Sequence, residues 1–383
     1  MFRAVRGNRA KLRFGKRKQR ITHNRVRLLH DGEQAFPAML DAIQGAQREI
    51  LLEMYWFGSD RTGRRFAEAL MERARAGVCV RVTYDAVGSI EASESMFDEM
   101  RAAGVEVHEF NPIAPWRVRF SFGRINQRDH RKLLVVDARI GIAGGLNLGD
   151  PWAPRSEGGD GFRDDAIEVV GSAAQELRAL FYRTFPERPD VVFPPEPLDE
   201  GETAVSVLAS DHWEERRNIY DNYLNAIARA SREIVITNSY FIPARRVRRA
   251  LGRAVDRGVR VRVLVPRDSD VRVTQLASRH LYERLLGDGI EIYEWRGGIL
   301  HSKTALVDDS WCTVGSFNFD ARSIHNNLEL NIAVRDQAVN SALRTRVEFD
   351  MKDAIRVDLA SFRKRGVFTK LLERFVYMFR WLL

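Results

Sequence analysis

Gln47-Arg48-Glu49-Ile50-Leu51-Leu52-Glu53-Met54-Tyr55-Trp56-Phe57 recurs, position for position, as Ser231-Arg232-Glu233-Ile234-Val235-Ile236-Thr237-Asn238-Ser239-Tyr240-Phe241. The helix pattern ahead of each copy keeps the same register. Phe36, Leu40 and Ile43 answer to Tyr220, Leu224 and Ile227, an i, i+4, i+7 apolar stripe. Downstream, Gly77-Val78-Cys79-Val80-Arg81-Val82 pairs with Gly258-Val259-Arg260-Val261-Arg262-Val263, and Gly104-Val105-Glu106-Val107 with Gly289-Ile290-Glu291-Ile292. Helix, strand, helix, strand, helix, strand is therefore written twice. That alternation predicts an α/β protein of two duplicated lobes, each with a mixed, mostly parallel sheet flanked by helices.

The copies differ in one place. Residues 111–129 are an insertion peculiar to the first half, carrying Trp116, Phe120 and Phe122 among Arg117, Arg119, Arg124 and Arg128. It leads directly into His130 and reads either as an aromatic, cationic lip for a lipid headgroup or as a solvated loop. The predicted organisation is a basic tail over 1–27, a first lobe over 28–190, a linker over 191–202, a second lobe over 203–350 and a basic, amphipathic segment over 351–383.

Each half also carries one copy of a shorter pattern. His130-Arg131-Lys132-Leu133-Leu134-Val135-Val136-Asp137 is followed by Gly144-Gly145-Leu146-Asn147; His301-Ser302-Lys303-Thr304-Ala305-Leu306-Val307-Asp308 is followed by Gly315-Ser316-Phe317-Asn318. The apolar run after each Lys makes a strand, on which residues two apart share a face. His130, Lys132, Asp137, His301, Lys303 and Asp308 are the candidate catalytic residues; His and Lys face a common site, while the two Asp face away and support it by anchoring the strand. Gly145, Asn147, Ser316 and Asn318 lie in a glycine-rich turn, where backbone and amide donors can approach a phosphate. In-line displacement at phosphorus needs a nucleophile on one side and an acid on the other. One imidazole cannot do both, whereas His130 and His301 can if a pseudo-twofold axis brings the motifs together. Lys132, Lys303 and the two Asn would offset the phosphate charge. To hold each imidazole's tautomer, Asp164 is expected on His130 and Glu329 on His301, with Asp165 the rival for the first. His30, His108, His212, His280 and His325 lack such partners.

Composition narrows the partners. At 383 residues, 45% hydrophobic and 30% charged, the chain reads as a globular protein of about two domains. The net charge of +9 is a property of one end: eleven Lys or Arg and no acid fall in residues 1–30, leaving 50 bases against 52 acids elsewhere. Such a tail suits phosphate-rich partners, nucleic acid or an anionic membrane surface. Cys79 and Cys312 sit in β-like apolar runs and read as small core residues of a cytosolic protein without disulfides. No secretory signal and no spanning segment is expected. Near the carboxy terminus Phe368, Leu371, Leu372, Phe375, Phe379 and Leu382 share a helical face, with Lys370, Arg374 and Arg380 among the polar positions and Arg363-Lys364-Arg365 just upstream. This reads as an interfacial helix on an anionic bilayer, or as a terminal helix docked on the protein's own core.

The paired H-x-K-x4-D motifs with their G-[SG]-x-N turns resemble those of the phospholipase D superfamily. Together with Asp31-Gly32-Glu33-Gln34, Asn238-Ser239-Tyr240-Phe241-Ile242-Pro243 and Leu300-His301-Ser302-Lys303, the likeness is closest to bacterial cardiolipin synthases, the B type in particular. The resemblance implies a phosphatidyl transfer to phosphatidylglycerol through a phosphohistidine, without metal or cofactor, at the cytoplasmic face of the cell membrane as a peripheral protein. It implies that His130 is the nucleophile and His301 the acid, although the residues alone allow the reverse. Substrates would be phosphatidylglycerol and, as a donor, phosphatidylethanolamine. Competing readings are a nuclease or phosphodiesterase of the same superfamily, disfavoured by the neutral body, and a non-catalytic membrane scaffold, disfavoured by six intact motif residues. Oligomeric state is not legible.

Overall fold

A computed structural model describes residues 21–115, 117, 120–187, 191–193, 200–210 and 217–383. Most of the basic tail, part of the insertion including Trp116 and Arg119, half of the linker and His212 lie outside them. The first half runs β1 (Ile21–His30), α1 (Asp31–Gly45), β2 (Glu49–Met54), α2 (Arg61–Arg75), β3 (Cys79–Asp85), α3 (Glu94–Ala102), β4 (Glu106–Phe110), β5 (Leu133–Val136), β6 (Ile140–Gly144), β7 (Asp165–Gly171) and α4 (Ser172–Phe181). The second repeats the order as β8 (Thr203–Ser210), α5 (Asn218–Arg229), β9 (Glu233–Asn238), α6 (Arg245–Asp256), β10 (Arg260–Asp268), α7 (Arg272–Gly287), β11 (Glu291–Ile299), β12 (Lys303–Val307), β13 (Trp311–Gly315), α8 (Ala321–His325), β14 (Glu329–Val334) and α9 (Gln337–Lys352). It then adds β15 (Ala354–Arg356), α10 (Leu359–Arg363) and α11 (Val367–Met378). The duplication seen in the sequence is thus a duplication of fold.

The sheets differ from expectation in two respects. All fifteen strands form one continuous sheet, in the order β15-β11-β10-β9-β12-β13-β14-β8-β1-β7-β6-β5-β2-β3-β4, joined at the antiparallel β1–β8 pair. And parallel pairing is confined to β2–β3–β4 and β9–β10–β11; every other ladder is antiparallel, so neither half is mostly parallel. The cause is the connection. The first three strands of each half are joined by crossover helices, which enforce parallel order. The motif strands β5 and β12 return beside β2 and β9 in the opposite sense, and tight turns at Asp137 and Asp308, both at φ 51°, fold the chain back into the next strand.

Strand alternation divides the core into three layers. Ile50 and Leu52 pack outward against α1 and α2 with Phe36 and Phe66, while Leu51 between them points inward. Ile234 and Ile236 likewise pack under α5 and α6, with Val235 turned inward. The inward layer draws on both halves: Leu51, Val135 and Ile167 share it with Val235, Leu306 and Leu330, and α4 and α9 contribute Leu177, Phe181, Leu343 and Val347. Strands buried on both faces read as unbroken apolar runs, which is why Glu49–Met54 is buried throughout. Cys79 is half-buried in β3 and Cys312 buried in β13. Among the described residues no helix is long and apolar enough to cross a membrane.

Candidate active site

The residues just ahead of each motif strand are held by the other half. His130 N donates to Leu328 O at 2.9 Å and Leu328 N to Arg128 O at 2.9 Å; His301 N donates to Arg163 O at 2.7 Å and Arg163 N to Ile299 O at 2.9 Å. Two short parallel bridges result, Asp129 with Leu328 and Leu300 with Arg163. Each places a histidine beside the residue that follows its bridge partner, and that residue is the carboxylate of the opposite half.

The tautomer-holding pairs are therefore crossed. His130 Nδ1 lies 3.0 Å from Glu329 Oε2, and His301 Nδ1 lies 2.7 Å from Asp164 Oδ2. This corrects the expected assignment of Asp164 to His130 and Glu329 to His301. Within one half β6 lies between β5 and β7, and β13 between β12 and β14, which sets the carboxylate two strand spacings, roughly 10 Å, from its own motif strand. Asp165, the rival, is occupied elsewhere: it meets His30 at 2.8 Å, Arg163 at 2.9 Å and the Ser302 hydroxyl at 2.6 Å. Burial raises its pKa, but Arg163 and His30 outweigh this and keep it ionised.

The glycine-rich turns serve these carboxylates. A Cβ on Gly145 would lie 2.1 Å from Asp164 Oδ1, so only glycine lets that carboxylate sit against the turn. The Ser316 hydroxyl, at the equivalent place, donates to Glu329 Oε2 at 2.5 Å. Their backbone amides are engaged too, Gly145 N with Asp165 O and Ser316 N with Leu330 O. Gly145 and Ser316 are thus not the phosphate donors expected of them. Asn147 and Asn318 are placed differently. Asn147 Oδ1 accepts from Trp56 N at 3.2 Å and Asn318 Oδ1 from the Ser239 hydroxyl at 3.0 Å, so the amide nitrogen is the end each offers to a ligand.

Lys132 and Lys303 lie in the same buried place. Their ammonium groups donate to the carbonyls of His130 and His301. Burial lowers Lys132 to about 7 and Lys303 to about 8. Burial also lowers His130 to about 4, opposed by Glu329 and assisted by Lys132 and Lys303. His301 is lowered by burial and Lys303, with Asp164 and Asp270 opposing. The crossed histidine–carboxylate contacts bring the two motifs into one site. Asp137 and Asp308 stand at the far ends of β5 and β12. Asp137 accepts from the amides of Gln47, Arg48 and Glu49, each at 2.8 Å, and Asp308 from those of Ser231, Arg232 and Glu233 at 3.0, 2.8 and 3.0 Å. They tie each motif strand to the start of β2 or β9 and touch no reacting group, so they are anchors and not catalytic residues.

Several contributors escaped the sequence reading. Tyr55 packs edge-on to His130 with ring centroids 5.0 Å apart, and Lys132 Nζ lies 5.0 Å from the Tyr55 centroid. Tyr240 stands 6.4 Å from His301 and donates its hydroxyl to Asp270 at 2.6 Å. Both follow the carboxyl ends of parallel strands, the usual location of sites in α/β sheets, and that rule was the available signal. Trp152 Nε1 donates to Asp164 at 3.0 Å and the Ser323 hydroxyl to Glu329 at 2.6 Å, with no sequence signal for either. Of the insertion, Phe122 is exposed against Phe120, while Arg128 is buried on Asp85 and braces the approach to His130.

Residues 39–157 and 223–351, one segment in each half, match the protein family described as "Cardiolipin synthase, PLD-like domain". A probable cardiolipin synthase of Bacillus subtilis is 33% identical over 365 residues, spanning 94% of this chain and 72% of that protein. A cardiolipin synthase B of Shigella flexneri is 34% identical over 330 residues, spanning 84% and 79%. Among solved structures, a phosphatidylserine synthase of Haemophilus influenzae superposes with a TM-score of 0.72 at 13% identity, covering 94% of this chain and 95% of that one. At that identity the likeness is one of fold, and it extends through both halves.

Proposed function

Given that this chain belongs to the cardiolipin synthase family of the phospholipase D superfamily, we propose that it makes cardiolipin from phosphatidylglycerol through a phosphohistidine on His130. The chain is an enzyme, a phosphatidyl transferase acting on phospholipids. The observation that carries the mechanism is the pair of crossed histidine–carboxylate contacts. They hold both Nδ1 atoms, which leaves each Nε2 as the reactive nitrogen.

In the first step His130 Nε2 attacks the donor's phosphorus. The bond from phosphorus to the headgroup oxygen breaks, and His301 gives that oxygen its proton. In the second step His301 takes the proton of an acceptor glycerol hydroxyl as its oxygen attacks phosphorus, and the P–N electron pair returns to His130. Two phosphatidylglycerols thus yield cardiolipin and glycerol; with phosphatidylethanolamine as donor the leaving alcohol is ethanolamine. Lys132, Lys303 and the amide nitrogens of Asn147 and Asn318 face the non-bridging oxygens. Electrostatics favours this division of labour. Burial, helped by both lysines, keeps His130 unprotonated, as a nucleophile must be; burial and Lys303 lower His301 too, but there Asp270 joins Asp164 in opposing them. The reaction takes place on the cytoplasmic face of the membrane, with the enzyme bound peripherally.

The test is direct. Purified protein incubated with phosphatidylglycerol, with and without phosphatidylethanolamine, should form cardiolipin detectable by mass spectrometry. His130→Ala and His301→Ala should each lower turnover by at least ~10²–10⁴-fold, and His301→Ala should accumulate a phosphatidyl adduct on His130. No cardiolipin from the wild type, together with DNA cleavage lost in His130→Ala, would sink the proposal.

A further inference from the structure

Helix α11 is mounted inside out. Among its residues only Glu373 is fully buried, at 1% exposure, and it faces the protein, with Arg365 at 3.2 Å and Arg279 at 3.6 Å from its carboxylate. Val376 and Tyr377 complete the contact, packing on the outer core of the second half, with the Tyr377 ring 4.5 Å from His280. The large apolar side chains point the other way. Phe368 is 80% exposed, Phe375 56% and Trp381 64%, with Leu371, Leu372, Met378, Phe379 and Leu382 on the same outward strip. A helix in water turns its apolar face to the core; this one docks by an ion pair and leaves that face uncovered among the described residues. The helix thus docks on its own protein, but not by its apolar stripe.

The strip adjoins two other features. Its end lies beside the catalytic site, because Leu383 O accepts from the amide of Arg322 in α8, the helix that supplies Ser323 to Glu329. Alongside it, between α6 and α7, is a cavity of about 330 Å³ lined by Arg245, Arg248, Arg249, Arg253 and Arg284 against only Asp256 and Asp288. Arg248 joins cavity to helix. Tyr377 and Arg380 act on it, its Nε is buried without a hydrogen-bond partner, and burial with the neighbouring arginines lowers its pKa. A cluster of crowded, underpartnered guanidiniums is complementary to phosphate.

We propose that the outward strip of α11 and the arginine cavity beside it form one docking surface for an anionic phospholipid bilayer, the aromatic and aliphatic side chains entering the acyl boundary and the cavity holding a lipid phosphate. Charge decides against a second copy as the occupant. Residues 363–383 carry six bases against one acid, Glu373, which is itself buried in the contact with the protein, and two such faces would meet with like charges opposed, whereas anionic headgroups neutralise them. The inference rests on the phospholipid reading above and deepens it by naming the surface that would bring the enzyme to the membrane that supplies its substrate.

Two double variants of the full chain test it: Phe375→Glu with Phe379→Glu on the strip, and Arg249→Gln with Arg253→Gln in the cavity. Co-sedimentation is measured with phosphatidylcholine vesicles that contain or lack phosphatidylglycerol. Both variants should keep the wild-type melting temperature and turn over dispersed short-chain phosphatidylglycerol at the wild-type rate. The strip variant should lose vesicle binding by about tenfold or more. The cavity variant should lose about tenfold only on vesicles containing phosphatidylglycerol, an effect erased by high salt. Undiminished vesicle binding by the strip variant overturns the proposal. So does a wild-type dimer, seen by light scattering, that the strip variant dissociates without change in vesicle binding. The two readings fail separately: a wild type that binds vesicles through the strip yet makes no cardiolipin from short-chain lipid overturns the proposed reaction and leaves the docking surface standing.

Discussion

The His130 and His301 halves of the site begin from the same motif and the same fold, yet they hold their imidazoles by different means. Glu329 is longer and accepts from two hydroxyls, Ser316 and Ser323, in addition to His130. Asp164 is shorter, lies against the bare backbone of Gly145, and accepts from the Trp152 indole and the Asp165 amide in addition to His301. The turn residue and the carboxylate length change together: a hydroxyl fills the position beside Glu329, and a missing side chain opens it beside Asp164. The duplication thus preserved the distance from carboxylate to imidazole by changing both residues. The surroundings then diverged in charge, with two lysines acting on His130 and a second carboxylate, Asp270, acting on His301.

The most severe way to break this comparison is to neutralise each carboxylate in turn. Glu329→Gln and Asp164→Asn should each lower kcat by about 10²–10⁴-fold, because the amide no longer stabilises the charged or phosphorylated imidazole. Crossing predicts which one can be rescued. A phosphodiester with a nitrophenolate leaving group needs no proton, so it should restore the first step in Asp164→Asn, whose partner His301 is the proposed acid, and not in Glu329→Gln. Rescue of Glu329→Gln instead would reverse the roles of the two halves.

A second measurement sharpens the contrast between the lysines. Burial brings the loss of their charge down into the neutral range, and a bound phosphate holds the charge on. Both are charged below their pKa, so affinity for a soluble dialkyl phosphate should be constant below about pH 6 and fall as pH rises through about 7 and then 8, by up to about tenfold per unit for each lysine. Proton uptake on binding, measured by calorimetry in two buffers, checks the sign. Lys132→Met should remove the lower inflection and Lys303→Met the upper. A flat profile from pH 6 to 9 would show that the lysines stay charged without ligand.

The smallest effect is expected where the halves agree. Asp137→Ala and Asp308→Ala each release three backbone amides, and urea denaturation should show a loss of about 1–2 kcal/mol in either case. The intact chain at low temperature should keep most of its turnover. Asp308 has a lowered pKa in the folded state, so its stabilisation is present above the ordinary carboxylate range and is lost as pH falls through it. A loss of turnover as deep as that of the histidine variants would return these residues to the reacting centre.

How much was legible follows from the range of each signal. The repeat, the strands after His130 and His301, the anchoring place of Asp137 and Asp308 at the strand ends and the apolar stripe of α11 are all periodicities or spacings within one segment, and each was read from residues alone. The mostly parallel sheet was misread because three crossover units dominate the pattern of each half, while the antiparallel strands β5, β6, β12 and β13 are short and leave little periodicity. Trp152, Ser323 and Asp270 enter the site from loops or helix ends with no periodic context.

The sequence by itself determined that two equivalent halves exist and that each carries one histidine, one lysine and one asparagine at matched spacing, because these follow from short-range periodicity; the geometry of displacement at phosphorus is what makes the proposed reaction need both. Only the tertiary structure decided which carboxylate serves which histidine and which way α11 faces. The first depends on bridges between Asp129 and Leu328 and between Arg163 and Leu300, segments far apart in the chain, and the sheet keeps each carboxylate two strands from its own motif. The second depends on a buried ion pair of Glu373 with Arg365 and Arg279. An amphipathic stripe shows that a helix has an apolar face, but what covers that face is settled by the partners of its polar one.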